Sequence, residues 1–438
     1  MIRQATPRSL RLAWTIAATL PLLLHLTGLT PRASSFDDPI PITGDPTPGL
    51  EAFDDAMIAM MQKYGLPGAV LAVVREEPGV GMRVVLQHGY GYTNTERSLI
   101  TKPDSKFRIA SISKPLTAVA ILKLIQQGKL TLDTKVSDIL SEFKNPPSGD
   151  PRIANITIRN LVQHTGGWDI GAIGFDPMYN AVHNGSVNPP GTAQDIIDYM
   201  LTRQLDFDPG SKTVYSNFGY CVLGRVIEQL SDGPYGTYLA ENVTAPLAMT
   251  GTALGGTLAS DRLPFEAHYY DYPGAPLVGS VFDPTQLVPW PYGGFYMPAN
   301  DASGGSVSTA TDMLRFLVSM NDGDHSVVPL PTPLQPPQPL GEVPQFNLQG
   351  QNWGWYKTGS HPGTIAGLRL FGERSGHPRT YWCFLANSRP NGADPFSDFE
   401  TALNNAVVTV EQEGHFGSGG TPLWNPAPWA LPPVPVKR

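Results

Sequence analysis

The chain has 438 residues, of which 41% are hydrophobic and 16% charged, a balance that excludes disorder throughout and allows one large domain or two interleaved ones. Its net charge of −8, which becomes −12 if the four Arg of residues 1–35 are removed, argues against nucleic acid or anionic membrane surfaces as partners. Only Cys221 and Cys383 are present, both in apolar runs, and they read as buried free thiols rather than a disulfide framework.

Arg3, Arg8 and Arg11 precede an apolar run from Leu12 to Leu29, the pattern of an export signal, with Ala33-Ser34-Ser35 as a small-x-small cleavage site. The run is close to the lower length limit of a membrane span, so an uncleaved N-terminal anchor is the alternative. Either way an exported protein, periplasmic or extracellular, is expected. Phe36 to Gly49 is rich in Pro, Asp and Thr and reads as a linker. Gly68 to Arg75 and Met82 to Gly89 read as strands. Ser111 and Lys114 form an S-x-x-K unit at the head of a helix-periodic segment that runs to about Gln127 and is closed by Gly128. Residues three apart on a helix share a face, which brings the Lys114 amine within one turn of the Ser111 hydroxyl and makes Ser111 a candidate nucleophile. A chain of this length holds roughly one such unit by chance, so its place at a helix start carries the argument.

Tyr215-Ser216-Asn217 opens a second helical run, Phe218 to Leu230. Pro-rich residues 327–344 read as a surface insertion. Lys357-Thr358-Gly359-Ser360 precedes Gly363 to Phe371, which continues as an extended segment, and Thr380 to Ala386 is a further strand. Beyond Glu413 the Gly- and Pro-rich tail, 414–438, reads as wrapping the surface or as loosely ordered. There is no G-x-S-x-G elbow, no phosphate-binding Gly-rich loop and no H-E-x-x-H, so no cofactor or metal is expected.

With S-x-x-K, Y-x-N and K-T-G in this order, the chain resembles the penicillin-recognising serine hydrolases: AmpC-like β-lactamases, D,D-peptidases, and related esterases and D-amino-acid amidases. Leu161-Val-Gln-His164-Thr-Gly-Gly-Trp168 and Gly304-Gly305-Ser-Val-Ser-Thr-Ala-Thr-Asp312 look like two further segments of that family. The resemblance implies an α/β (α+β) fold of the β-lactamase/transpeptidase type over residues 50–413. Its antiparallel sheet would be flanked by helices at Leu50 to Tyr64 and about Phe396 to Glu413, with a mainly helical region, about 128–300, inserted. Tyr215 in place of the Ser of S-D-N points to the Tyr-based branch.

The expected chemistry is acyl transfer through a Ser111 acyl-enzyme on a small-molecule or peptide substrate carrying an amide or ester. Lys114 and Tyr215 would share the general-base role, their proton affinities lowered by burial and by the cations clustered with Lys357. Asn217, Lys357, Thr358, Gly359 and Ser360 would hold substrate, and similarity to the family implies an oxyanion hole made of the Ser111 and Ser360 N–H groups. His361-Pro362-Gly363 competes with Lys357 as the third motif; the Lys reading is preferred because it leaves room for a full strand, and His361 then becomes a loop residue. His164 is expected to fix a loop. Trp353, Trp355 and Tyr356 could wall the pocket. A penicillin-binding wall sensor with little turnover is the alternative function.

Overall fold

The computed structural model describes residues 39–321, 349–351, 354–371, 378–392, 394–416 and 420–423. The apolar N-terminal run, the Pro-rich stretch 327–344, Trp353 and residues 424–438 lie outside the described residues, as does the side chain of Trp355.

Five long strands form the centre of one antiparallel sheet: β1 (Gly68–Glu77), β2 (Gly81–Asn94), β3 (Gly354–His361), β4 (Thr364–Phe371) and β5 (Thr380–Ala386). Their spatial order is β2-β1-β5-β4-β3. Two hairpins, one from each end of the chain, are therefore joined through β5, whose Thr380 to Ala386 pairs with Arg75 to Ala69 of β1. The stretch read as a linker contributes Ile42–Thr43, paired with Tyr90 and Gly89 of β2, and the tail contributes Thr421–Pro422, paired with Val84 and Arg83.

Both faces of the sheet are covered, which is why β1 reads Gly-Ala-Val-Leu-Ala-Val-Val with hardly a polar position. Alternate residues go to different cores. Ala69, Leu71 and Val73 meet helices α1 (Glu51–Tyr64) and, at the chain's other end, Pro395–Gln412, through Phe53, Met57, Phe399 and Leu403. Val70, Ala72 and Val74 join the larger core with α2 (Ser113–Gln126), α3 (Asn217–Ser231) and α4 (Ala310–Asn321). The Pro395–Gln412 helix is α5 below. Helix α2 is apolar around its whole circumference because it is enclosed on all sides, every residue from Ser113 to Leu122 being buried. Gly128 ends its extension at φ +70°, and the N–H groups of Gly128 and Lys129 donate to Ile125 and Leu124.

The inserted region is present but broken into short pieces. Apart from α3, the nine-residue helix Ala193–Leu201 and an unbroken helical run over 235–247 of mixed pitch, residues 128–300 form turns of three to five residues, short bridges and loops. Its Pro and Gly content explains this, since neither residue supports long helices.

Candidate active site

Ser111 does not sit in α2 itself. It lies in the 3₁₀ turn Ala110–Ile112 that feeds the helix, and Lys114 occupies the helix's first turn. Ala110 has φ +48°, a left-handed conformation costly for a residue with a Cβ, and this kink turns the Ser111 side chain out of the helix line. The turn is braced by β3: a Cβ on Gly359 would stand 2.1 Å from the Ile109 carbonyl oxygen and 3.2 Å from Ser111 N. Only glycine fits there.

Side chains of two separated motifs meet the Ser111 hydroxyl, and the third stands beside them. Tyr215 donates its phenolic O–H to Ser111 Oγ at 2.6 Å, and Lys114 Nζ lies 3.2 Å from the same oxygen. Lys114 Nζ also reaches Asn217 Oδ1 at 2.6 Å and the Ser303 carbonyl at 2.6 Å. Lys357, buried on β3, stands over the Tyr215 ring with Nζ 5.5 Å from its centroid, while Lys114 lies 4.8 Å from that centroid.

Local sequence explains these placements. Ser216 caps α3 by accepting the Gly219 N–H at 3.0 Å, so Asn217 becomes the first helical residue and Tyr215 is left on the extended approach. His164, at φ +60°, accepts the Ser216 N–H at Nδ1 (3.1 Å) and packs on the Tyr215 ring. It fixes a loop, as expected. The Ser303 carbonyl is delivered by the turn Asp301–Gly304, which an Arg225–Asp301 ion pair of 2.5 Å ties to α3. A Cβ at Gly224 would stand 2.8 Å from Ala302, so that glycine permits the close approach.

Burial sets the proton affinities. It holds the Lys114 amine well below its ordinary value, the nearby Lys357 charge adds to this, and Asp176 opposes it. Burial alone brings Lys357 down to about 7. The expectation for Tyr215 is reversed: burial raises its phenol, and the clustered cations do not offset that. The ring exposes 40% of its surface, yet its hydroxyl is turned inward at Ser111, which is where the burial acts. Burial thus moves the Lys114 amine and the Tyr215 phenol in opposite directions.

Two other expectations are corrected. Strand alternation places Lys357, Gly359 and His361 toward Ser111, and their partners Leu368 and Ala366 belong to the core that holds α2. Thr358 and Ser360 pair with Gly367 and Ile365 and fall on the opposite face of the strand. From Ser360, only the backbone is on the reactive side. His361 is not a loop residue. It ends β3, fully buried, with Nε2–H donating to the Gly304 carbonyl (2.7 Å) and Nδ1 accepting from Tyr179 (2.6 Å). Burial pushes it down to about 3, so it is a neutral brace for the Ser303 turn and no rival to Lys357.

Asp176 belongs to none of the three motifs. It accepts from Asn217 Nδ2 at 2.6 Å. No local signal marks it, because the partners are 41 residues apart.

A fold with a sheet edge, a kinked serine and two enclosed lysines defines a serine-hydrolase type of architecture, and comparison with known proteins agrees. The Beta-lactamase family model matches residues 53–404, and the chain belongs to that family. Among curated relatives, Protein flp of Staphylococcus aureus (strain N315) is 32% identical over 197 residues, 45% of this chain and 36% of that protein. Penicillin-binding protein 4* of Bacillus subtilis (strain 168) is 30% identical over 214 residues, 48% of this chain and 43% of the relative. The chain thus spans less than half the length of these relatives. The fold is shared with D-amino acid amidase from Ochrobactrum anthropi SV3 (TM-score 0.59, 20% identity, 83% of this chain and 99% of that one). It is shared also with a penicillin binding protein from Bacillus halodurans (TM-score 0.56, 20% identity, 79% and 98%).

Proposed function

We propose that this member of the family cleaves an amide or ester through an acyl-enzyme on Ser111. The observation that carries the reading is the Ser111 hydroxyl set between a phenolic donor at 2.6 Å and an amine at 3.2 Å whose proton affinity burial has lowered. Ser111 Oγ attacks the acyl carbon while its proton passes to neutral Lys114. Tyr215, already bonded to Oγ, then relays a proton to the departing nitrogen or oxygen. Water repeats the sequence on the ester, returning Ser111 and releasing the acid. The N–H groups of Ser111 and Ser360 are assigned the oxyanion.

The names of the relatives and neighbours make amino-acid amides and penicillins the substrates to try first. Export, proposed from Arg3 to Leu29, would bring the site to wall-derived amides. The test is hydrolysis of short-chain p-nitrophenyl esters, D-amino-acid amides and a chromogenic cephalosporin, beside Ser111→Ala. Activity lost in Ser111→Ala is the expected result; activity retained overturns the mechanism. A penicillin adduct that persists in intact-mass spectra without turnover would instead favour the sensor function.

A further inference from the structure

A neutral amine has two N–H bonds and one lone pair, and Lys114 Nζ meets three oxygens: Asn217 Oδ1 (2.6 Å), the Ser303 carbonyl (2.6 Å) and Ser111 Oγ (3.2 Å). The Ser303 carbonyl can only accept. Asn217 is the partner with a choice. Turned over, its amide would aim an N–H at the amine and occupy the lone pair that must take the Ser111 proton. Asp176 removes that choice, because a carboxylate accepts only and its Oδ2 lies 2.6 Å from Asn217 Nδ2. The nitrogen of the amide must therefore face Asp176 and the oxygen must face Lys114.

The carboxylate is itself fixed from behind. Its Oδ1 accepts the Met178 N–H at 3.0 Å, capping the turn Pro177–Asn180. That turn is anchored twice, by Asn300 Nδ2 donating to the Met178 carbonyl (3.0 Å) and by the Tyr179–His361 bond.

We propose that Asp176 is a positioning residue for acylation: by locking the Asn217 amide it directs the Lys114 lone pair at Ser111 Oγ. The inference rests on Ser111 and Lys114 acting as nucleophile and base. It also has an electrostatic consequence. Lys114 is faced by Lys357 from β3, by the rings of Tyr215 and Tyr220 at 4.8 and 5.7 Å, by the neutral His361, and by Asp176 behind Asn217. The Asp176 charge raises the proton affinity of Lys114 and the Lys357 charge lowers it. Neutralising Asp176 while keeping its shape therefore moves the acid limb of Ser111 reactivity to lower pH.

The experiment is the rate of covalent labelling of the full chain by a fluorophosphonate between about pH 5 and 10, with thermal midpoints alongside. Asp176→Asn removes the charge but offers one oxygen to two donors, the Met178 N–H and Asn217 Nδ2; at high pH it is expected to label no more slowly than Asp176→Ala, with the acid limb displaced downward by on the order of one pH unit. Asp176→Ala frees the amide and should label at least about tenfold more slowly across the range. An acid limb that stays put in folded Asp176→Asn, or wild-type labelling in Asp176→Ala, overturns the inference while leaving the nucleophile intact. Should Asp176→Ala not fold, the Asp176→Asn profile decides. Labelling that survives in Ser111→Ala overturns the nucleophile, and this inference with it.

Discussion

At the residue scale the two lysines do different work from similar burial. Lys114 touches the nucleophile, so a side chain that cannot lose its proton there should block acylation: Lys114→Arg is expected to slow fluorophosphonate labelling by roughly 10²–10⁴-fold. Tyr215→Phe removes one donor at 2.6 Å and leaves the amine in place, so its loss should be smaller at the labelling step and larger in turnover of an amide, whose leaving group needs a proton. Lys357 stands over the Tyr215 ring, and its charge acts on Lys114. Its folded value of about 7 lies below the ordinary 10.5. Below pH 7 both states hold the proton and the folded state bears the full penalty of a buried cation; from about 7 to 10.5 the unfolded chain binds more protons, so this group makes stability rise with pH. Lys357→Met should accordingly raise the thermal midpoint near pH 6, by a stability gain of about 1–3 kcal/mol, and the gain should shrink towards pH 10. The same variant removes a charge that depresses Lys114, so its acid limb of labelling should move to higher pH, opposite to Asp176→Asn. A gain independent of pH would show that Lys357 is not titrating where burial places it.

At the element scale the site depends on how β3 meets the turn before α2. Gly359→Ala would drive a Cβ against the Ile109 carbonyl, and since both partners are backbone nothing rotates away. We expect a stability loss of about 1–3 kcal/mol together with collapse of Ser111 labelling. Gly367→Ala on the neighbouring strand is the control, because its Cβ would meet first the Phe384 ring, a side chain on the far face that can shift, and labelling should persist. The same junction marks the limit of what the sequence discloses. β1, β2 and β5 announce themselves through apolar runs, and α2 and α3 through period and caps. Lys-Thr-Gly-Ser-His has neither hydrophobicity nor alternation; it is a strand because Tyr356 to His361 pairs with Arg369 to Thr364. Without knowing that, the parity that separates Lys357 and Gly359 from Thr358 and Ser360 is invisible, and so is the buried end of the strand at His361. Ser111, Lys114, Tyr215 and Asn217 were legible because their spacing reflects local helical geometry. Asp176 and the Ser303 carbonyl were not, since each acts through one long-range hydrogen bond.

At the scale of the whole molecule the question is whether sheet and inserted region open separately. Their connectivity permits it, since residues 128–300 leave from α2 and return before α4. Their packing opposes it: Cys221 of α3 and Cys383 of β5 belong to one continuous core that also holds Leu116, Val119, Ala366 and Leu385. Both thiols are free and fully buried, and burial pushes Cys221 up to about 12 and Cys383 higher still, so neither reacts without exposure to water. They are therefore built-in reporters, one in each region. If the molecule is a single cooperative unit, a thiol reagent in increasing urea should modify both at one rate with one denaturant dependence, equal to that of global unfolding. Faster modification of Cys221, with the smaller urea slope of a local opening, would mean that the inserted region detaches while the sheet stays closed. That outcome would carry a functional consequence, because Tyr215 and Asn217 ride on the approach to α3 whereas Ser111, Lys114 and Lys357 are held by the sheet. Detachment would separate the phenol from the nucleophile, and Ser111 labelling would fall at urea concentrations well below the unfolding midpoint. Equal rates would mean instead that the three motifs stay assembled until the whole core is lost.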